Sequence, residues 1–125
     1  MDNTEIVRNF CAEWDAPAPD GEQLASYFTE DAFYHNIPMD PIRGRDNIQT
    51  TLGGMAAMMT SKGWVVLNIV AEGDVVMTER IDKFDANGNA VALPVMGVFE
   101  LREGKIASWR DYFDLGTFQR QMSGS

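Results

Sequence analysis

A chain of 125 residues suits one domain, and its 45% hydrophobic content can fill one core without staples. The formal charge of −9 sets the surface against nucleic acid and anionic lipid, and no lysine or arginine cluster offsets it. One cysteine, Cys11, excludes an intramolecular disulfide and fits a reducing compartment, here expected to be the cytoplasm. MDNTEIVRNF lacks the basic start and apolar run of a secretory leader, and no stretch reaches the roughly 20 apolar residues of a membrane span.

In chain order, Asn3 or Thr4 is expected to cap a helix over EIVRNFCAEW, with Ile6, Val7, Phe10 and Trp14 on its apolar face. DAPAPDG breaks that helix with two prolines and a glycine. Glu22 to Phe28 reads as a short second helix, with Leu24, Tyr27 and Phe28 as its apolar side. Thr29 to Asp31 reads as a turn into the strand-like AFYHNI, which Pro38 and Pro41 end. Gly44 to Met59 reads as a third helix carrying Ile48, Leu52, Met55 and Met59 in one stripe. Gly53 and Gly54 weaken it by roughly 1 kcal/mol each relative to Ala, or permit close packing.

After Gly63 the pattern becomes β-rich: WVVLNIVAE, VVMTERIDKF, AVALPVMGVFELR and KIASWRDYFDL. Turn signals at Glu72-Gly73-Asp74, Asn87-Gly88 and Glu103-Gly104 separate these runs, and Asn-Gly is a strong hairpin marker. A last short helix is expected over Thr117 to Met122. Helices followed by an antiparallel meander make an α+β domain over residues 1–125. A curved sheet wrapped around the helices as a cone with a pocket satisfies this pattern, although the pattern alone does not select it.

The period of two on the second β run places Val76, Thr78, Arg80 and Asp82 on one face and Met77, Glu79 and Ile81 on the other. In the last run Trp109, Asp111 and Phe113 share a face, so a carboxylate stands between aromatics and needs a partner. Arg80 suits it, because a guanidinium fork can bridge two carboxylates. Tyr34 and Asn36 share a face of the early strand. Two carboxylates, one guanidinium, a phenol and an amide suit acid–base chemistry on a neutral substrate, provided one carboxyl stays protonated near neutrality. From residue types alone, a strand Arg–Asp pair is more commonly structural, Tyr34 more commonly core, and Asn36 before Pro38 more commonly turn chemistry. His35 is turned away from Tyr34 and Asn36 by parity, Cys11 has no evident base, and no His/Cys/Asp set has metal-ligand spacing.

These residues resemble limonene-1,2-epoxide hydrolase, of the SnoaL-like and NTF2-like superfamily. The resemblance runs from about Ala32 to Phe118. It is carried by Y-x-N at Tyr34 and Asn36, G-R-D at Gly44 to Asp46, T-E-R-x-D at Thr78 to Asp82 and G-V-F-x-L at Gly97 to Leu101. The last stretch is E-G-K-I-x-x-W-R-D-Y-F-D-L at Glu103 to Leu115. It implies an NTF2-like cone, a curved mixed or antiparallel sheet with three to four helices around an apolar pocket. It also implies addition of water to an epoxide in one step, without cofactor, metal or covalent ester. Asp111 would be the general base, drawing on a water also held by Tyr34 and Asn36. Asp82 would be the general acid, and Arg80 would bridge the two.

Expected pocket walls from the first half of the chain are Ile37, Leu52, Met55, Met58 and Met59. From the second half they are Leu93, Val95, Trp109, Phe113, Leu115 and Phe118. Each also reads as plain core. The methionine-rich MAAMM fits a bulky apolar epoxide, cyclic or terpene-like. A homodimer is expected from the resemblance and from apolar outward residues such as Met77 and Ile81. The competing readings are an isomerase or cyclase of the same cone, of ketosteroid-isomerase or SnoaL type, and a non-catalytic ligand-binding module.

Overall fold

The computed structural model of the chain describes residues 2–124. Helix α1 (Asn3–Ala12) leads through one 3₁₀ turn (Glu13–Asp15) to a short α2 (Gly21–Ala25), then β1 (Phe28–Asn36), β2 (Ile42–Arg43) and α3 (Arg45–Met58). Four long strands follow: β3 (Thr60–Glu72), β4 (Val75–Ala86), β5 (Asn89–Arg102) and β6 (Lys105–Tyr112); helix α4 (Leu115–Ser123) comes last. The six strands form one sheet in the order β2-β1-β6-β5-β4-β3. Strand β1 runs parallel to β6 and every other pair is antiparallel, so the meander is completed by an early strand and the sheet is mixed.

Local chemistry explains most boundaries. Asp2, rather than Asn3 or Thr4, caps α1, its carboxylate accepting from the Glu5 amide at 2.8 Å. Asn3 instead reaches the Gly73 carbonyl. Asp114 caps α4 by accepting from the Thr117 amide at 2.8 Å, which starts that helix two residues before the expected Thr117. Asn87 and Gly88 both take positive φ, 53° and 77°, and close the β4–β5 hairpin as a primed turn. Gly21 lets the short α2 come down onto α3, since a Cβ on it would lie 3.1 Å from the Gly53 Cα and 3.3 Å from the Gln49 carbonyl.

The expected turn at Thr29 to Asp31 is strand instead, and the second helix stops at Ala25. Pairing with β6 overrides the local turn preference: Phe28 sits opposite Ile106, and the Ile106 amide donates to the Tyr27 carbonyl at 2.8 Å. The turn-like composition survives as a register irregularity between Phe28 and Phe33. The two-residue β2, not anticipated, pairs Ile42 and Arg43 with Tyr34 and Phe33.

The helices pack on the face of the sheet that carries the inward residues of β4, β5 and β6. At the centre of the main core, the Phe10 ring meets those of Tyr27, Phe28, Trp64, Phe99 and Trp109 at centroid distances of 5.1–6.2 Å. A second, smaller cluster gathers Val91, Leu93 and Val95 of β5 against Phe84, Phe113, Phe118 and Met122. Strand β6 stops its pairing at Tyr112 opposite Met96, which leaves one edge of β5 bare beyond that point. Helix α4 covers this edge, with the Gln121 side chain accepting from the Ala92 amide and donating to its carbonyl. The candidate site lies between the two clusters.

Candidate active site

Strand pairing assembles the site. Thr78 of β4 lies opposite Gly97 of β5, and Gly97 lies opposite Asp111 of β6. Arg80 and Asp82 follow Thr78 on the same inward face. Tyr34 and Asn36 of β1 lie beside Trp109 and Asp111 of β6. The five residues expected from the sequence, Tyr34, Asn36, Arg80, Asp82 and Asp111, therefore meet at one end of a cavity.

Arg80 is fully buried, and Asp82 and Asp111 are nearly so. All five guanidinium N–H groups have a partner. Nε and Nη2 donate to the two oxygens of Asp82 at 3.0 and 2.9 Å. Nη1 and Nη2 donate to the two oxygens of Asp111 at 3.2 and 2.8 Å, and Nη1 also donates to the Thr78 hydroxyl at 3.0 Å. The guanidinium plane lies over the Trp64 ring at 4.5 Å, and Trp64 stacks on Trp14. Asp111 accepts a further hydrogen bond from the Trp109 indole at 2.7 Å. Tyr34 stacks on Trp109 with centroids 4.1 Å apart, and its hydroxyl accepts from the Asn36 amide at 2.9 Å. The phenol proton is left for another acceptor on the cavity side.

Gly97 makes this arrangement possible. A Cβ there would lie 2.4 Å from Arg80 Nη1, 2.7 Å from Asp111 Oδ1 and 2.9 Å from Thr78 Oγ1. Only a residue without a side chain lets the guanidinium lie flat across β5 and reach from β4 to β6.

The electrostatics follow from burial. The cluster holds one cation and two carboxyls, so a single proton brings it to neutrality. Burial pushes Asp82 up, to about 6; Arg80 pulls it down and the Asp111 charge adds to the rise. Arg80 stays charged, because its two carboxylates outweigh the burial that alone would lower it. Burial and then the Asp111 charge hold the Tyr34 phenol far above its ordinary range, so it stays neutral. Burial lifts the Cys11 thiol to about 12, which keeps it protonated and unfit as a nucleophile. His35 lies outside the cluster, with Nε2 2.8 Å from the Met39 carbonyl. Among the described residues, no group of three or more His, Cys, Asp or Glu side chains can hold a metal ion.

The cavity measures about 310 Å³ and its surface is mostly apolar. Of the expected walls, Met55, Met58, Met59, Leu93, Val95, Phe113 and Phe118 line it. Four do not. Leu52 and Trp109 are fully buried in the core behind the wall. Ile37 points to solvent past the end of β1, and Leu115 sits at the start of α4 off the lining. Met39, Trp64, Phe84, Ala86, Asn87 and Met122 line the cavity without having been anticipated. The parity of β4 carries from Arg80 and Asp82 to Phe84 and Ala86, so those two were within reach of the sequence. Trp64 becomes visible only when β3 is paired with β4, which sets it opposite Asp82.

Residues 1–123 match the limonene-1,2-epoxide hydrolase catalytic domain. The chain belongs to the limonene-1,2-epoxide hydrolase family. Within reach of this family, the chain is 38% identical over 88 residues to the epoxide hydrolase EphG of Mycobacterium tuberculosis (strain ATCC 25618 / H37Rv). That match covers 69% of this chain and 57% of the relative's length. An M. tuberculosis LEH-like epoxide hydrolase of known structure superposes with a TM-score of 0.83 at 29% identity, covering 98% of this chain and 90% of that one. A protein with a ketosteroid isomerase-like fold from Catenulispora acidiphila DSM 44928, solved in complex with trimethylamine, gives a TM-score of 0.83. At 23% identity, over 95% of this chain and 92% of that one, it speaks to the fold alone. The limonene-1,2-epoxide hydrolase family member described here thus has the NTF2-like, ketosteroid isomerase-like cone: four helices on a six-stranded curved mixed sheet.

Proposed function

We propose that this protein is an epoxide hydrolase that adds water to an apolar epoxide, cyclic or terpene-like, and releases a vicinal diol. The observation that carries this reading is one fully buried guanidinium clamping two buried carboxyls that line a mostly apolar cavity. Asp111 is the base. Its carboxylate is held by Arg80 and Trp109, and it faces the same space as Tyr34 and Asn36, which bind the attacking water. Asp82 is the acid, since the raised affinity of its carboxyl for a proton lets it donate to the oxirane oxygen.

In one step the water oxygen bonds to an oxirane carbon and the carbon–oxygen bond of the ring breaks. Asp111 takes the water proton, and the ring oxygen takes the Asp82 proton. The cycle resets when the proton returns from Asp111 to Asp82, whose carboxyls share Arg80 Nη2 at 2.8 and 2.9 Å. Arg80 holds both groups in place and keeps the charge of the pair low throughout. A ketosteroid-isomerase-type shuttle needs a neutral carboxyl in an oxyanion hole apart from its base. A guanidinium shared by both carboxyls disfavours that alternative.

The direct test follows diol formation from cyclohexene oxide and limonene oxide by chiral chromatography. Wild-type protein is expected to form diol, and Asp111→Asn to lose at least 10²-fold in rate. A folded wild type that hydrates neither epoxide would remove the cyclic or terpene-like substrate, and failure on linear terminal epoxides as well would remove the hydrolase reading. The outer face of the sheet supports a homodimer: Val65, Leu67, Val70, Met77, Met96 and Tyr112 are large, apolar and exposed there. No helix is long and apolar enough to cross a membrane among the described residues.

A further inference from the structure

The cavity follows the inward face of β4. On the inward face of β4 it is lined in turn by Asp82, Phe84 and Ala86, and at the following turn by Asn87. The four residue steps of strand from Asp82 to Ala86 span about 13 Å. The acid–base cluster closes one end, where Asp82 and Asp111 are nearly buried, while Asn87 at the other end is exposed. At about 1.5 Å per C–C bond, foreshortened to about 1.25 Å by the bond angle, that distance takes about ten carbons of extended chain. Among the described residues, Asp82 and Asp111 are the only charged ones that line the cavity, and no lysine or arginine does. An anionic tail would therefore meet no partner on the way out, in a chain of net charge −9.

We propose that the substrate is an uncharged epoxide with an extended apolar chain of about ten carbons, lying along β4 with its oxirane at Asp82 and Asp111, and that Ala86 sets the accepted chain length. This rests on the hydrolase reading above and departs from it in substrate shape, with an extended chain in place of a ring. A compact ring fills only the closed end and leaves the wall at Phe84 and Ala86 uncovered. The small side chain of Ala86, itself buried, keeps the outer half open. Each methylene that leaves water for this wall raises kcat/KM about three- to four-fold, through KM, until the chain passes Ala86 into solvent.

The experiment measures kcat/KM for terminal epoxides from 1,2-epoxybutane to 1,2-epoxyhexadecane, together with an epoxide of about eight carbons ending in a carboxylate, short enough to keep the charge inside the cavity. A steep rise that levels near ten carbons, and at least tenfold lower kcat/KM for the carboxylate, are expected. In Ala86→Phe the levelling point is expected to move to shorter chains, so that the ratio of dodecyl to hexyl epoxide turnover falls. A profile flat with chain length, or equal turnover of the carboxylate, overturns the proposal while leaving the hydrolase reading standing. Binding of 1,2-alkanediols of the same lengths, read by quenching of Trp64 at the cavity wall, reports the same length dependence without turnover. It keeps the two readings separable if no epoxide is hydrated: affinity that rises with length up to about ten carbons supports the elongated site, and affinity independent of length overturns it.

Discussion

At the scale of single residues, the chemistry turns on how two aspartates differ. Asp111 accepts from Arg80 and from the Trp109 indole, whereas Asp82, among the described residues, accepts from Arg80 alone. Burial is the main reason Asp82 rises to about 6, and no second donor offsets it. A general acid is active while protonated, so kcat/KM for epoxide hydration is expected to fall as pH rises through about 6. The stability consequence has a definite sign. A carboxyl raised on folding favours the native state fully below its unfolded value of about 3.9, and that contribution is lost as pH rises through about 6. Asp82→Asn removes this loss. The Tm of the variant relative to wild type is expected to be higher at pH 7.5 than at pH 4.5, in a chain that no longer forms diol. A kcat/KM independent of pH from 5 to 8 would take the acid role away from Asp82. The roles themselves came from the resemblance, since parity places both aspartates inward without distinguishing them.

At the scale of elements, the site is a product of strand register. Thr78, Gly97 and Asp111 stand side by side on three neighbouring strands, and Arg80 crosses the middle one. Period two was legible in VVMTERIDKF and in WRDYF, so the inward faces were readable. Which strands would be neighbours was not. The part played by Gly97 is visible only once β5 is known to lie between the other two. Gly97→Ala places a methyl group within 3 Å of Arg80, Asp111 and Thr78 at once. We expect a folded protein whose guanidinium is pushed off Asp111, with kcat/KM lower by about 10²-fold. With Arg80 displaced, its lowering of Asp82 weakens, so the fall of activity with pH is expected to move to higher pH. Wild-type rate and an unmoved pH profile in the variant would show that the fork does not depend on the missing side chain. The same blindness to pairing produced the misread turn at Thr29 to Asp31, where local composition favoured a turn and the β6 partner stabilised a strand.

At the scale of the whole molecule, the sheet has two faces with different fates. The inner one is covered by α1, α3 and α4 and encloses the cavity. The outer one leaves Met77, Met96 and Tyr112 exposed on adjacent strands, with Met96 directly opposite Tyr112. If two copies join through this face, Met77→Glu together with Met96→Glu is expected to convert a dimer to monomer in sedimentation while the thermal transition persists. A stable dimer needs roughly 1,200 Å² or more of total buried surface, which a four-strand face can supply. A wild type that sediments as a monomer at micromolar concentration would remove the dimer reading.

The sequence by itself determined the α+β class, the order of elements apart from β2, the inward residues of β4 and β6, and the five polar residues of the site. These follow from period, turn chemistry and motif, all of which are local in the chain. It also assigned seven of the cavity walls. Tertiary structure alone decided that β1 inserts beside β6 and that Gly97 opens the path for Arg80. It likewise set Trp64 under the guanidinium and left Leu52 and Trp109 behind the wall rather than on it. Those outcomes depend on which strands pair and which helix covers which edge, and a one-dimensional pattern carries no term for contacts between distant segments.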